Sequence, residues 1–106
     1  ICTQLGLPLS KMEKGTEFTA NFEKTFEGKK PQLYAPFAYD ATYAIANAIK
    51  LANSTDREAI AAAMPKVAFD GVIGKIAFDN KGDIQKGTVT VFDVKDGKHE
   101  VLEVLE

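Results

Sequence analysis

A proline that heads an alanine-rich segment constrains the fold of this chain more than any other feature. Proline suits the first turn of a helix, because its missing N–H would have no intrahelical partner there. After Pro36, apolar residues recur at spacings of three and four and form one face, which consists of Phe37, Ala41, Ala44, Ile45, Ala48, Ile49 and Ala52. The pattern predicts a helix that continues to Ala52 and whose small alanines lie close against a sheet.

Tyr34 is the first residue that we consider for a functional role. It is a large aromatic residue with a polar tip, and it stands where a loop meets the start of the predicted helix. Binding residues tend to lie on loops that a rigid scaffold holds in place. Tyr34 is therefore predicted either to form the wall of a ligand site or to belong to the core.

Length and charge limit the classes of function. The 106 residues suffice for one small domain with a modest core. The 13 basic and 15 acidic residues are well mixed, so no basic stripe exists and we expect no nucleic-acid partner. No apolar run approaches the length of about 18 residues that a membrane span needs. The chain opens at Ile1 without Met or a basic leader, and we therefore expect a longer parent chain or a removed leader.

Residues suited to metal binding or nucleophilic catalysis are scarce. The single cysteine, Cys2, and the single histidine, His99, leave too few ligands for a structural zinc site. His99 stands in a polar turn region, where we expect it to be solvated. The segment Asp79–Asp83 combines carboxylates and glycine, but its spacing departs from that of a calcium loop, and we predict a tight turn. We expect no metal, no cofactor and no enzymatic activity.

A helix is predicted upstream of Pro36, from about Thr16 to Phe26. Thr16 is its predicted N-cap, and Gly28 is predicted to follow its C-terminus. Phe18, Phe22 and Phe26 recur every four residues and form one aromatic stripe. Such a stripe is typical of a helix face that packs into a core.

A third helix and several strands complete the predicted order of elements. Thr55 as N-cap and Glu58 three residues later form a capping box, and Pro65 ends this helix. Strand character then appears three times, in residues 67–78, 88–94 and 99–105, and also in the opening residues 1–7. The last two segments are predicted to be joined by a hairpin turn at Lys95–Lys98. Three helices followed by about three strands indicate an α/β fold.

Two residues near the start of the central helix have more than one interpretation. Asp40 is predicted to place a favourable charge near the positive end of the helix, a contribution of about 0.3–1 kcal/mol. The alternative is a ligand role for Asp40, such as contact with an ammonium group. Tyr39 is predicted to pack between the helix and a sheet.

Three segments together resemble one protein family. They are Tyr34–Ala41, Ser54–Arg57 and Phe69–Asp83, which contain a Tyr-Asp-Ala helix start and a Phe-Asp-x-x-Gly-Asp turn. In these motifs and their separation, nearly the whole chain resembles the C-terminal third of type I periplasmic binding proteins. The most similar members are the branched-chain amino acid (Leu/Ile/Val) binding components of ABC transporters. The resemblance implies a two-lobed α/β fold that clamps its ligand between the lobes.

The resemblance also implies how the chain is divided. Residues 1–106 would form the C-terminal segment of a periplasmic ligand-binding domain. Residues from about 9 to 85 would belong to the first lobe, and residues 1–8 and 86–106 would be strands of the second lobe. Domain closure by hinges between such lobes is a known kind of motion.

The same comparison implies roles for individual residues. Pro8, Lys86 and Gly87 would lie at crossings between the lobes and act as hinges, and Gly87 would supply a permissive backbone. Tyr34 would line the apolar side-chain pocket of the ligand. The residues that bind the carboxylate and ammonium groups would lie upstream of this chain.

The resemblance implies a periplasmic solute-binding component of an ABC importer, which delivers a branched-chain or related amino acid to an inner-membrane permease. The apolar helix faces would be covered by the missing N-terminal part of the same protein or by self-association. Two alternatives remain at this point. One is a free-standing small α+β protein-interaction module, and the other is an amide or amino-acid sensor domain of the same superfamily.

Overall fold

Three helices lie between strands that come from both ends of the chain. The computed structural model describes all 106 residues. In chain order the elements are β1 (Cys2–Leu5), a 3-10 turn (Leu9–Lys11), α1 (Gly15–Thr25), α2 (Ala35–Ala52), α3 (Arg57–Ala63), a second 3-10 turn (Met64–Lys66), β2 (Ala68–Asp70), β3 (Lys75–Ala77), β4 (Val89–Lys95) and β5 (Lys98–Leu105). The predicted mixed α/β class is confirmed. None of the helices combines the length and hydropathy that a membrane span requires.

Four strands, rather than about three, follow the helices. The segment 67–78, predicted as one strand, folds back on itself and forms the antiparallel pair β2–β3. The cause is the turn between the two strands, where the Gly71 N–H donates to the Gly74 carbonyl at 2.9 Å and Gly74 has a φ of 121°. Glycine adopts this conformation without steric cost.

A three-stranded antiparallel sheet joins the two ends of the chain. The strand order is β1–β4–β5, so the central strand β4 pairs with both others, and Leu5 of β1 lies opposite Val89. The predicted hairpin turn at Lys95–Lys98 is confirmed. Its two central residues, Asp96 and Gly97, have φ values of 51° and 72°, which suit a two-residue turn between twisted strands.

The longest helix, α2, packs on α3 through small residues. Pro36 lies in its first turn, as predicted, and the helix ends at Ala52. Its buried positions follow one another every four residues: Pro36, Asp40, Ala44 and Ala48. Ala44 and Ala48 form a core with Ala63 and Val67 of the α3 region. This buried face is narrower than predicted, and Ile45, which was expected on it, is 52% exposed.

The start of α1 differs from the prediction. The helix begins at Gly15, its N-cap is Lys14, and no side chain caps it, so Thr16 is not the N-cap. The cause is close packing of the backbone, because a Cβ atom at residue 15 would lie 1.8 Å from the Leu9 carbonyl oxygen. Only glycine permits this approach, and it sets where the helix can start.

The end of α1 and its aromatic stripe also differ in detail. Glu27, with a φ of 54°, takes the left-handed position after the helix, and the Gly28 N–H donates to the Glu23 carbonyl at 2.7 Å. Gly28 therefore lies one position later than predicted, in a Schellman-type end. Phe18 is buried as predicted, whereas Phe26 is 49% exposed.

The capping of α3 is shifted by one residue from the prediction. The helix begins at Arg57, and the Asp56 carboxylate accepts the Ala59 N–H at 3.1 Å. Ser54 supports this arrangement, since its hydroxyl oxygen accepts the Asp56 N–H at 3.0 Å. Asp56 is therefore the N-cap, and the predicted capping box of Thr55 with its partner three residues later is wrong.

Two adjacent segments connect the sheet with the helices. The Gly6 N–H donates to the Thr88 carbonyl at 2.7 Å, and the fully buried Thr90 hydroxyl donates to the Gly6 carbonyl at 2.7 Å. The chain thus leaves the sheet after β1 and returns before β4 at the same place. We call these two places, where the chain leaves the sheet after β1 and re-enters it before β4, the crossings, and residues 9–85 lie between them.

Candidate functional site

Tyr34 lies at the surface, at the start of α2 and near the crossings. It is the N-cap residue of α2, and its side chain is 68% exposed. Its ring meets the ring of Phe37 edge-on, with centroids 6.3 Å apart. The tip of the Phe37 ring in turn lies against the crossing at Gly6, where a Cβ atom would be 2.9 Å from Phe37 Cζ. In this chain Tyr34 is therefore a braced and accessible aromatic residue, not a core residue.

The predicted hinge residues lie on or beside the two crossings. Pro8 is partly buried and directly precedes the first 3-10 turn, while Lys86 and Gly87 are exposed. The structure does not require glycine at position 87, since a Cβ atom there would make only an ordinary contact of 3.5 Å with Ile84. The glycine that the crossings do require is Gly6, whose φ is 74°. The sequence predicted hinge residues at positions 8, 86 and 87 and assigned no such role to Gly6.

Asp40 is one of the most buried polar residues of the chain, with an exposed fraction of 2%. One carboxylate oxygen accepts the Val72 N–H at 2.9 Å, and the other accepts the Ile73 N–H at 2.8 Å. Hydrogen bonds to an ionised acceptor are stronger than those between neutral groups. Neither a helix-end charge nor an ammonium ligand describes this arrangement, in which Asp40 holds the turn between β2 and β3 on α2.

Gly71 permits this contact. A Cβ atom at position 71 would lie 2.4 Å from Asp40 Oδ2, a separation at which the carboxylate or the turn would have to move. Sequence reasoning missed that the two central N–H groups of the turn at residues 71–74 bind a carboxylate of the same chain.

A cleft of about 560 Å³ opens between α1, α2 and β2. We call it the aromatic cleft, because six aromatic residues line it: Phe18, Phe22, Phe26, Tyr39, Tyr43 and Phe69. Tyr39 meets the Phe18 ring edge-on at 5.3 Å and is 45% exposed, so its predicted burial is wrong. The physical reason is that α1, rather than a sheet, lies beside this side of α2. At the rim, the Lys14 ammonium donates to the Asp70 carbonyl at 2.6 Å.

The surroundings of Tyr39 favour the neutral form of its phenol. A hydrogen bond with the Tyr43 side chain raises the pKa of Tyr39 above its ordinary value of 10.0. Burial and the negative charges of Asp40 and Glu17 raise this pKa further. A neutral phenol can donate or accept a hydrogen bond, but it cannot act as a general base near neutral pH.

The turn at Asp79–Asp83 is confirmed as a tight turn. Asp79 Oδ1 accepts the N–H groups of Lys81 and Asp83, at 2.8 and 2.9 Å. Nowhere do three or more His, Cys, Asp or Glu side chains converge in a way that could hold a metal ion. His99 is exposed, as predicted.

Comparison with known proteins defines the class of this chain. A family model described as a periplasmic binding protein matches residues 5–98. Because this match spans most of the sequence, the chain belongs to the periplasmic binding protein family.

Two named relatives are more specific than the family model. The chain is 35% identical over 72 residues to Leu/Ile/Val-binding protein homolog 2 of Brucella abortus (strain 2308), a match that covers 67% of this chain and 19% of the relative. It is 38% identical over 58 residues to homolog 1 of the same strain, covering 54% of this chain and 16% of the relative. The predicted resemblance to Leu/Ile/Val-binding proteins is thereby confirmed. The matched residues span less than a fifth of the length of these relatives.

Solved structures have the same fold. The leucine binding protein LivK of Thermotoga maritima MSB8 superposes with a TM-score of 0.78 at 29% identity, over 97% of this chain and 29% of that protein. An ABC transporter substrate-binding protein of Desulfitobacterium hafniense, solved in complex with Leu, gives a TM-score of 0.68 at 25% identity. That match covers 94% of this chain and 30% of the other.

Proposed function

We propose that this chain is the C-terminal segment of a solute-binding protein that captures a branched-chain amino acid in the periplasm and delivers it to an ABC permease in the inner membrane. Membership in the periplasmic binding protein family supports this proposal, as do relatives named for Leu, Ile and Val. The family membership also argues against a free-standing interaction module. We refer to the whole protein that contains the segment as the full-length binding protein.

The exposed ring of Tyr34 is the observation on which the proposal mainly rests. An aromatic side chain that is 68% exposed leaves much of its apolar area in water, although Phe37 braces it. Burial of a leucine-sized side chain against such a wall and its partners contributes about 1.5–3 kcal/mol. We therefore assign Tyr34 to the pocket that holds the apolar side chain of the ligand.

The two adjacent crossings support a division into lobes. On this proposal residues 9–85 belong to the first lobe, while residues 1–8 and 86–106 are strands of the second. The hydrogen bonds that join Gly6 to Thr88 and Thr90 hold the crossings side by side. Rotation about the neighbouring residues, Pro8, Lys86 and Gly87, would open and close the lobes around the ligand.

The test is Tyr34→Ala in the full-length binding protein, with binding of L-leucine measured by isothermal titration calorimetry. We expect the dissociation constant to rise about 10- to 100-fold, because removal of the ring loses about 1.4–2.8 kcal/mol of apolar contact. Tyr43→Ala is the matched control, since Tyr43 lies on the same helix, is 49% exposed and faces the aromatic cleft. Unchanged affinity in Tyr34→Ala would remove Tyr34 from the ligand site.

A further inference from the structure

We infer that Asp40 is a positioning residue for the ligand site, because it fixes the start of α2, and with it Tyr34, to the β2–β3 turn. This inference rests on the function proposed above, in which Tyr34 contacts the ligand. Asp40 itself does not touch the ligand on this view. It acts through the helix that carries Tyr34.

The contact itself is strong and specific. Two successive N–H groups, those of Val72 and Ile73, point at the two oxygens of one carboxylate that is almost fully buried. Successive backbone N–H groups in a turn form a concave site for an anion. Here the anion belongs to a residue 32 positions earlier in the chain, so the contact joins two elements that are not neighbours in sequence.

Close packing leaves this contact little freedom. The turn is closed by its own hydrogen bond from Gly71 to Gly74, and Gly71 approaches the carboxylate so closely that no Cβ atom fits between them. The β2–β3 turn and the Asp40 side chain can therefore pack together in only one geometry. Movement of α2 relative to the turn would break both hydrogen bonds of Asp40.

The helix transmits the position of Asp40 to Tyr34. The two residues are six positions apart, about 9 Å along a helix axis. The Ala38 N–H donates to the Tyr34 carbonyl at 3.0 Å, so Tyr34 is tied to the first turn of α2. Phe37 lies between the Tyr34 ring and the crossing at Gly6.

The turn, on its other side, leads to the second crossing. After β3, Phe78 pairs with Ile84, and the Gln85 N–H donates to the Ala77 carbonyl at 2.9 Å. The residue directly before Lys86 is thus bound back to the hairpin that Asp40 holds. One carboxylate therefore links the helix that carries Tyr34 with the segment that enters the second crossing.

A double-mutant cycle in the full-length binding protein tests this inference. Asp40→Asn keeps the shape of the side chain but turns one acceptor into an NH₂ group that faces an N–H donor. We expect the dissociation constant for L-leucine to rise about tenfold with Asp40→Asn alone. In the Tyr34→Ala background we expect the same change to raise it less than twofold, since coupled residues are not additive.

Two further variants make the result specific. Asp79→Asn is the matched control, because Asp79 also accepts two backbone N–H groups, but only within its own exposed turn. It is expected to leave the affinity for leucine unchanged. Gly71→Ala disturbs the Asp40 contact from the side of the turn, and it decides the question if Asp40→Asn does not fold.

The outcomes separate this inference from the proposed function. If Asp40→Asn weakens leucine binding by the same factor in both backgrounds, Asp40 does not act through Tyr34 and the inference is rejected, while the proposed function stands. The same conclusion follows if Asp40→Asn leaves the affinity unchanged and Tyr34→Ala weakens it. If Tyr34→Ala itself leaves the affinity unchanged, Tyr34 does not belong to the ligand site and the inference about Asp40 is rejected, while the capture of leucine by the protein still stands. If the protein does not bind leucine, both proposals fail.

Discussion

Tyr39 and Tyr43 form a pair of phenols on the side of α2 that faces the aromatic cleft. Their ring centroids are 5.0 Å apart, and both rings are nearly half exposed. Since a hydrogen bond with Tyr43, burial and nearby negative charges raise the pKa of Tyr39, the folded protein holds the phenol proton more tightly than the unfolded chain does. The contribution of Tyr39 to stability is therefore fully present below the ordinary pKa and is lost as the pH rises from about 10 through the raised value.

The effect of Tyr43 on the pKa of Tyr39 can be tested by a pH titration of tyrosine absorbance near 295 nm. We expect Tyr43→Phe to lower the pKa of Tyr39 towards its ordinary value, because the substitution removes the hydroxyl group that contributes most to the shift. Tyr34→Phe removes a phenol whose ring meets Phe37 edge-on instead, and it should leave the titration of Tyr39 unchanged. A titration of Tyr39 that Tyr43→Phe does not alter would contradict the assigned cause.

Among the elements, α3 shows how a single cap determines a helix start. The helix has only 7 residues, and isolated helices of this length are not stable in water. Its stability depends on packing against α2 and on the Asp56 cap. The cap accepts a hydrogen bond from one of the first N–H groups of the helix, which have no acceptor within the helix.

Asp56→Ala is expected to lower the free energy of unfolding by about 0.5–2 kcal/mol, the usual effect of removing an N-cap side chain. Thr55→Ala is the control, and its effect should stay within about 0.5 kcal/mol, because Thr55 is exposed and caps nothing. Urea denaturation of both variants measures the difference. Equal destabilisation by the two substitutions would show that the cap is shared.

Local patterns predicted the elements well, and long-range contacts account for the errors. Pro36 and the Lys95–Lys98 turn act through their own backbone geometry, so their roles were visible in sequence. The pairing of Asp40 with the β2–β3 turn joins two segments that are 32 residues apart, and the local spacing of residues does not predict such a contact. Tyr39 was predicted to pack between the helix and a sheet. This prediction was wrong because the sequence does not show that α1, rather than a sheet, lies beside that side of α2. For Tyr34, the sequence left a ligand wall and the core as alternatives, and only the packing of the folded chain shows that the residue is exposed.

The whole molecule has more surface than its size predicts. Its accessible area is 7848 Å², whereas a folded monomer of 11.5 kDa exposes about 5,800 Å². The radius of gyration is 15.9 Å, against about 13 Å for a compact chain of this length. Large apolar residues are exposed on α2 and on the sheet, among them Ile45, Leu51, Leu5 and Leu102. These surfaces support the proposal that the N-terminal part of the full-length binding protein covers them.

By itself the 106-residue chain is expected to self-associate, because association buries the same apolar surfaces. Size-exclusion chromatography with light scattering should give a molar mass above the 11.5 kDa of one chain. Ile45→Glu places a charge on the exposed apolar side of α2 and should reduce association. Lys50→Glu changes a residue that is already charged and exposed on the same helix, and it serves as the control. A monomer at every concentration would contradict the prediction.

The pairing of β1 with β4 has a consequence for how the chain is made. The hydrogen bond between Thr90 and Gly6 spans 84 positions. The part of the entropic cost of loop closure that depends on length is about 4 kcal/mol for a loop of this size. The β4–β5 hairpin needs only a two-residue turn and can form first. At a synthesis rate of about 5–20 residues per second, β1 leaves the ribosome roughly 4–17 s before its partner strand leaves it. During that interval its exposed edge is open to other chains.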